Sequence, residues 1–415
     1  PDSTQIKGGG KDHSFDLGSH FLTKSLLLQG WGGWQNNDVS NGADYQYTLT
    51  HLFTQHNKLG GELGDFLHQQ LMPDLEDKLK ASGWDVTPYV NVFNQPPENG
   101  FTQFMDHPRY STGYTTLWNT FGLMVETHML KPYKQRVDGT YELMAKLIEI
   151  AESNTEKIKE LRENAMSRHR GLTHYPIRWE LDTLKHSTIE FKGFEVDTLI
   201  SEVTGFPRLK YDRERPFTKD IAYQNYYKPS DSVAIPKAYV VKKGWEKVMN
   251  HLVLNNIEFT VLEQDTSFAV EAYRIVDFKT VSQPYEGHYL HYDTQVIAKQ
   301  QRMNFQEGDY IILTDQPGFR YIMETLEPAA MDSYFNWNFF DTVLQQKEDF
   351  SPYVFEDMAL EILRNNPDLN EAFLAEKAKD SMLSGNWYTQ LQWIYQHSEY
   401  YEKAHMQYPV YRIVE

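Results

Sequence analysis

The chain of 415 residues contains no cysteine. That excludes disulfides, thiolate metal ligands and a cysteine nucleophile, so any metal must be held by His, Asp or Glu. Basic charge is also scarce: 58 acidic residues against 40 basic ones leave a formal charge of −18, which argues against a nucleic-acid backbone or an anionic membrane as the main partner. No apolar run approaches the roughly 18 residues needed to span a bilayer, so no membrane insertion is expected and the chain reads as soluble. The opening residues, "PDSTQIKGGGKDHSFD", lack a basic start followed by an apolar core, so no signal peptide is visible. Neither a GxxxxGK[ST] phosphate loop, a strand-coupled GxGxxG nor a GxSxG elbow occurs, which leaves nucleotide binding and serine-hydrolase chemistry without support.

What is present divides into three stretches. Residues 1–170 are expected to form an α/β domain whose N-terminal part, 1–35, is irregular. From Tyr45 onward strand and helix signals alternate: "YQYTLTHLF" and "VTPYVNVFN" read as strands around the helical "GELGDFLHQQLMPDLEDKLKASG", and "GLMVE" precedes a long helix from about Tyr133 to Ala165. Such alternation predicts some parallel pairing, with active groups at strand C-terminal ends. Residues 171–330 are rich in Thr, Val, Tyr and Phe in short runs, which predicts a β-sandwich-like unit interrupted by one amphipathic helix, "KGWEKVMNHLVLNN". Residues 331–415, with "WNFFDTVLQQKED", "YVFEDMALEILRNNPDL" and "NEAFLAEKAKDSML", are expected to form a helical C-terminal region packing back on the rest.

Glu126 ends the apolar run Leu123–Met124–Val125. A carboxylate at the end of a buried strand loses hydration, which raises its pKa and suits it to general-base work; the alternative is a local pair with His128, Lys131 or Lys134. The preceding loop, "HPRYSTGYTTL", supplies Arg109, Tyr110 and Tyr114. An arginine clamps a carboxylate bidentately and a tyrosine hydroxyl donates to an oxyanion, so a peptide C-terminus is a candidate ligand there.

"RYSTGYTTLWNTFGLMVETHMLKPYKQRV" resembles the region around the general-base glutamate of the zinc carboxypeptidases, the carboxypeptidase A-like metallopeptidases, and in particular a large bacterial branch. "NGADYQYTLTHLFTQHNKLGG" resembles the stretch after a zinc-ligating histidine in that branch. "YEGHYLH", "GDYIILTDQPGFRYIMETLEP" and "DSYFNWNFFDTVLQQKEDFSPYVFEDMA" are similar to its accessory region, so the likeness runs from Asn41 to Glu415. It implies a partial carboxypeptidase-like sheet, zinc as cofactor, Glu126 as base, Arg109 with Tyr110 and Tyr114 as substrate-binding groups, and a periplasmic or extracellular location. The ligand set does not follow the family: no HxxE occurs, Asp38 stands in a histidine's slot, Asn36 stands where an Asp is usual, and Thr4 and Lys7 fall where the other His and Glu ligands belong. "HSFDLGSH" offers His13, Asp16 and His20, and His13 and Asp16 with Asp38 form a substitute set.

Elsewhere, His51, His56 and His68 lack ligand spacing and read as structural or exposed, while His288 and His291 of "EGHYLHY" fall on opposite faces of an expected strand and read as its polar residues. Two functions follow from the resemblance. One is an active metallocarboxypeptidase with Glu126 as base; the other is a catalytically impaired or inactive relative that binds a peptide or protein C-terminus. A third possibility is that the β-rich unit is a carbohydrate- or cell-surface-binding module that supplies the whole function.

Overall fold

A computed structural model describes residues 43–346 and 348–414, together with the backbone of two short antiparallel strands, β1 (His13–Asp16) and β2 (Gln29–Gly32). The expected mixed α/β class holds. Within "YQYTLTHLF" the ordered strand is β3 (Leu49–Phe53), buried along its whole length because it is the middle strand of a three-stranded sheet. β4 (Val86–Pro88) lies parallel to it and β6 (Leu123–Thr127) antiparallel.

The chain passes from β3 to β4 through α1 (His56–Leu59), α2 (Gly61–Phe66), a π-helical turn at Leu67–Leu71 and α3 (Met72–Ala81). Leu59, Leu63, Leu67, Leu71, Leu75 and Leu79 recur at every fourth residue, and all are buried in one core. At about 3.6 residues per turn, a spacing of four rotates such a stripe by about 40° per step. The π turn holds more residues per turn and takes up part of that drift, so the leucines keep facing the sheet.

β5 (Phe101–Thr102) and α4 (Ser111–Leu117) come before β6, and α5 (Tyr133–Ser153) and α6 (Thr155–Ser167) follow it. The single helix expected from Tyr133 to Ala165 is thus two helices broken at Asn154. There the Asn154 amide donates to the Ile150 carbonyl and the Thr155 hydroxyl to the Ala151 carbonyl. Side chains that bond nearby backbone in this way compete with the helical ladder.

The β-rich stretch is spread over three sheets. β7 (His174–Leu181) pairs with β10 (Tyr227–Ala234), while β8 (Ser187–Ile200) and β9 (Pro207–Gln224) form a long hairpin that β5 joins in parallel. The third sheet is antiparallel and six-stranded, built from β11 (Ala238–Val241), β12 (Thr260–Val261), β13 (Thr266–Thr280), β14 (His291–Phe305), β15 (Tyr310–Leu313) and β16 (Gln407–Ile413) in the order β12-β15-β11-β16-β13-β14. α7 (Glu246–Leu254) and α8 (Phe319–Leu326) share a core with one face of this sheet, through Met249, Leu252, Ile322 and Met323 against Tyr239, Ile275, Ile312 and Tyr408.

α9 (Pro352–Asn365), α10 (Pro367–Lys379), α11 (Ser381–Gly385) and α12 (Trp387–Gln396) supply the expected helical region, with Phe355, Phe373, Leu391 and Ile394 as its core. It ends in a strand, β16, which inserts between β11 and β13. "WNFFDTVLQQKED" does not form the expected helix: it makes one 3-10 turn, Asp341–Leu344. Phe335 and Phe340 are fully buried on either side of Asn338, whose φ of 66° is left-handed and incompatible with a continuing helix. Among the described residues no helix is long and apolar enough to cross a membrane.

Candidate functional site

The loop that carries Arg109 and Tyr110 is folded tightly onto the start of α4. At Gly113 a Cβ would lie 2.0 Å from the His107 carbonyl oxygen, so the approach requires glycine. A threonine cluster then fixes α4 against the sheet: the Thr54 hydroxyl donates to the Thr112 carbonyl at 3.1 Å, and the Gly122 amide donates to the Thr54 hydroxyl at 2.8 Å.

Arg109 is held by a carboxylate of the same chain. Its backbone amide donates to Asp332 Oδ2 and its Nε to Asp332 Oδ1, both at 2.8 Å, and Nη2 lies 2.5 Å from Oδ1. Trp337 Nε1 donates to the same carboxylate at 3.2 Å. The guanidinium also sits 5.6 Å from the Tyr285 ring and 5.5 Å from the Trp337 ring, within cation–π range. Tyr110 packs edge-on against Phe104; burial, with a smaller contribution from the Tyr285 phenol, raises its hydroxyl pKa. Arg109 and Tyr110 therefore share one aromatic cluster with Tyr285. Tyr114 leads elsewhere, its hydroxyl donating to Asn255 Oδ1 at 2.6 Å, and Asn255 in turn donates to the Tyr321 phenol.

The same loop holds a group that sequence reasoning missed. Asp106 is 7% exposed, and desolvation pushes its carboxyl up to about 7. Its neighbour His107 is shifted the other way, again chiefly by burial. The available signal was position: Asp106 immediately precedes the loop already singled out and stands three residues before Arg109.

Glu126 is half-buried on β6, opposite Thr50 of β3. It lies four residues past Gly122, roughly 13 Å farther along the strand from the threonine cluster. Each of the three suggested local partners also meets another group. His128 Nε2 lies 3.2 Å from Asp44 Oδ1, Lys131 Nζ donates to the Tyr45 carbonyl at 3.0 Å, and Lys134 Nζ bonds Asp138 at 2.5 Å.

His128 and Asp44 are the described histidine and carboxylate that flank this strand end, and they do not fit a zinc site. The Leu130 amide donates to His128 Nδ1, which leaves the proton on Nε2 facing Asp44. A protonated nitrogen donates and does not ligate. Arg213 Nε, 2.7 Å from Asp44 Oδ2, adds a fixed positive charge. For Asp44 the penalty of burial is outweighed by His128 and Arg213, which hold its carboxyl below the usual range. The suggested metal positions Thr4, Lys7, His13, Asp16, His20, Asn36 and Asp38 lie outside the residues whose side chains the structure describes. Comparisons of the chain with known protein families, with curated proteins and with solved structures find no match.

Proposed function

We propose that this chain is a relative of the zinc carboxypeptidases that binds a peptide or protein C-terminus without hydrolysing it. The observation that carries the reading is the Arg109–Asp332 pair. The resemblance assigns Arg109 to the substrate carboxylate, and here an internal carboxylate already takes its guanidinium in a largely buried setting. An incoming C-terminus must displace Asp332, so binding at this clamp is weak and a substrate is not held in the register that hydrolysis requires. Water activation adds a second obstacle. The sequence lacks the HxxE that supplies zinc ligands in the resembled family, and unless another ligand set holds the ion Glu126 would face a water of pKa about 15.7, against about 7 on zinc.

The test is to incubate the full chain with excess zinc and with peptides bearing free or amidated C-termini, following amino-acid release and binding in parallel. Selective binding of the free C-terminus with no release above a buffer control is the expected result, unchanged in Glu126→Gln. Release of C-terminal residues that disappears in Glu126→Gln would establish the active carboxypeptidase instead, and equal affinity for free and amidated peptides would refute C-terminus recognition.

A further inference from the structure

A cavity of about 260 Å³ opens where α1, α6, β7 and α8 meet. Tyr175, Trp179 and Phe319 give it aromatic walls, while Lys58, Arg168 and Arg320 bring three cations and no carboxylate-bearing residue lines it. In a chain of charge −18 that is, among the described residues, a local reversal of sign. Lys58 is balanced from behind by Glu324 at 2.7 Å. Arg168 and Arg320 have no carboxylate within ion-pair reach among the described residues.

The end of α1 is what brings the two arginines together. Arg320, itself buried, donates to the carbonyls of Lys58 at 3.0 Å and Leu59 at 2.7 Å, and Arg168 reaches the Leu59 carbonyl at 3.3 Å. Carbonyls at a helix C-terminus carry only about half a negative charge together, which leaves most of two guanidinium charges uncompensated. The chain makes room for this arrangement at Gly61, where φ is +59° and a Cβ would stand 2.3 Å from Arg168 Nη1. Two polar atoms of the lining also lack a partner among the described residues: the indole Nε1 of Trp179, which can only donate, and Oδ1 of Asn119, a residue 3% exposed.

We propose that this cavity binds a small organic carboxylate carried on an aromatic or apolar body, with Arg168 and Arg320 taking the carboxylate and Trp179, Tyr175 and Phe319 enclosing the body. Guanidinium groups match the planar carboxylate. The volume falls below the roughly 300–1,000 Å³ of sites for drug-sized ligands, so one ring or one amino-acid-sized group fits and a nucleotide or an extended peptide does not. The inference is independent of peptide binding at Arg109.

Calorimetric titration of the full chain with phenylacetate, N-acetylphenylalanine, a tetrapeptide ending in Phe, the same tetrapeptide amidated, and inorganic phosphate tests it, with Trp fluorescence as a second readout. One or more of the three carboxylates should bind and quench Trp fluorescence, and the amidated peptide should not. Tighter binding of the small acids than of the tetrapeptide would identify a free acid as the ligand; the reverse order would identify a chain terminus. Arg168→Gln, a change at an exposed side chain, should weaken binding at least tenfold, with partial recovery in Arg168→Lys. Phosphate binding as tightly as the carboxylates, no carboxylate binding at millimolar concentration, or undiminished affinity in a folded Arg168→Gln protein would each overturn the proposal.

Discussion

Arg109 and Asp332, 223 residues apart in sequence, are joined by a hydrogen bond from the Arg109 backbone amide, another from its side chain and an ion pair, all on the same carboxylate. The pair ties the loop before α4 to the loop after α8, so it fastens the N-terminal sheet's surroundings to the six-stranded sheet's helical cover. Breaking one side of a buried pair strands the other charge and costs roughly 3–5 kcal/mol. With side chains only 16% and 4% exposed, Asp332→Ala is expected near the lower end of that range, about 3 kcal/mol. Arg109→Met combined with Asp332→Leu should cost less than Asp332→Ala alone, because no buried charge is left unpaired. Urea denaturation of the single and double variants measures both. A double variant less stable than Asp332→Ala would show that the pair's geometry, rather than its charge balance, is what matters.

The elements that were legible in sequence are those whose pattern is local. β3, β6 and α7 each carry their signal within a dozen residues, and the Gly83 stop after α3 has the left-handed φ of 82° that such a stop uses. β16 was hidden because it follows four helices, and its pairing partners, Ala238–Val241 on one side and Glu271, Ala272 and Arg274 on the other, lie far upstream. The candidate site shows the same division. Arg109 and Tyr110 stand out as loop residues of useful chemistry, but whether Arg109 is open to a ligand depends on Asp332 and Trp337, which nothing near position 109 reveals. The Arg168–Arg320 pair is likewise invisible in sequence, since it is created by the carbonyls at the end of a four-residue helix.

Asp106 should make the protein less stable as pH rises. Its folded-state carboxyl titrates at about 7 against an ordinary 3.8, so between those values the folded state holds a proton that the unfolded chain has released. Stability from this group is complete below about pH 4, declines as pH rises through 7, and is then level. The interval corresponds to roughly 4 kcal/mol at most. Asp106→Asn keeps the shape and removes the titration. It should therefore be more stable than the parent at pH 8 by up to that amount and nearly equal to it at pH 4. Parallel stability profiles for the two proteins between pH 4 and 8 would refute this.

His56 and His68 should act in the opposite direction. Their rings stack at 4.1 Å between centroids and 8° between planes, and Tyr226 stands edge-on to both. His68 Nε2 also meets the Tyr226 hydroxyl at 3.1 Å. Burial pushes His56 down to about 3, with the neighbouring His68 adding to the effect. His68 is lowered by burial too, although Asp65 and Glu76 pull it the other way. A second positive charge on a stacked ring is repelled at close range in a desolvated setting, so both imidazoles are neutral in the folded state at neutral pH. The unfolded chain takes up a proton on His56 near 6.5, whereas the folded state does so only near 3. Its stabilising contribution is complete above pH 6.5 and is lost as pH falls from there through about 3, by up to roughly 5 kcal/mol. The His56 imidazole resonances should therefore not titrate between pH 8 and 5 in the folded protein. His56→Gln, which cannot take up the proton, should flatten the acid limb of the stability profile. A His56 signal with an ordinary midpoint near 6.5 would mean that the stacked pair is solvated and carries no such linkage.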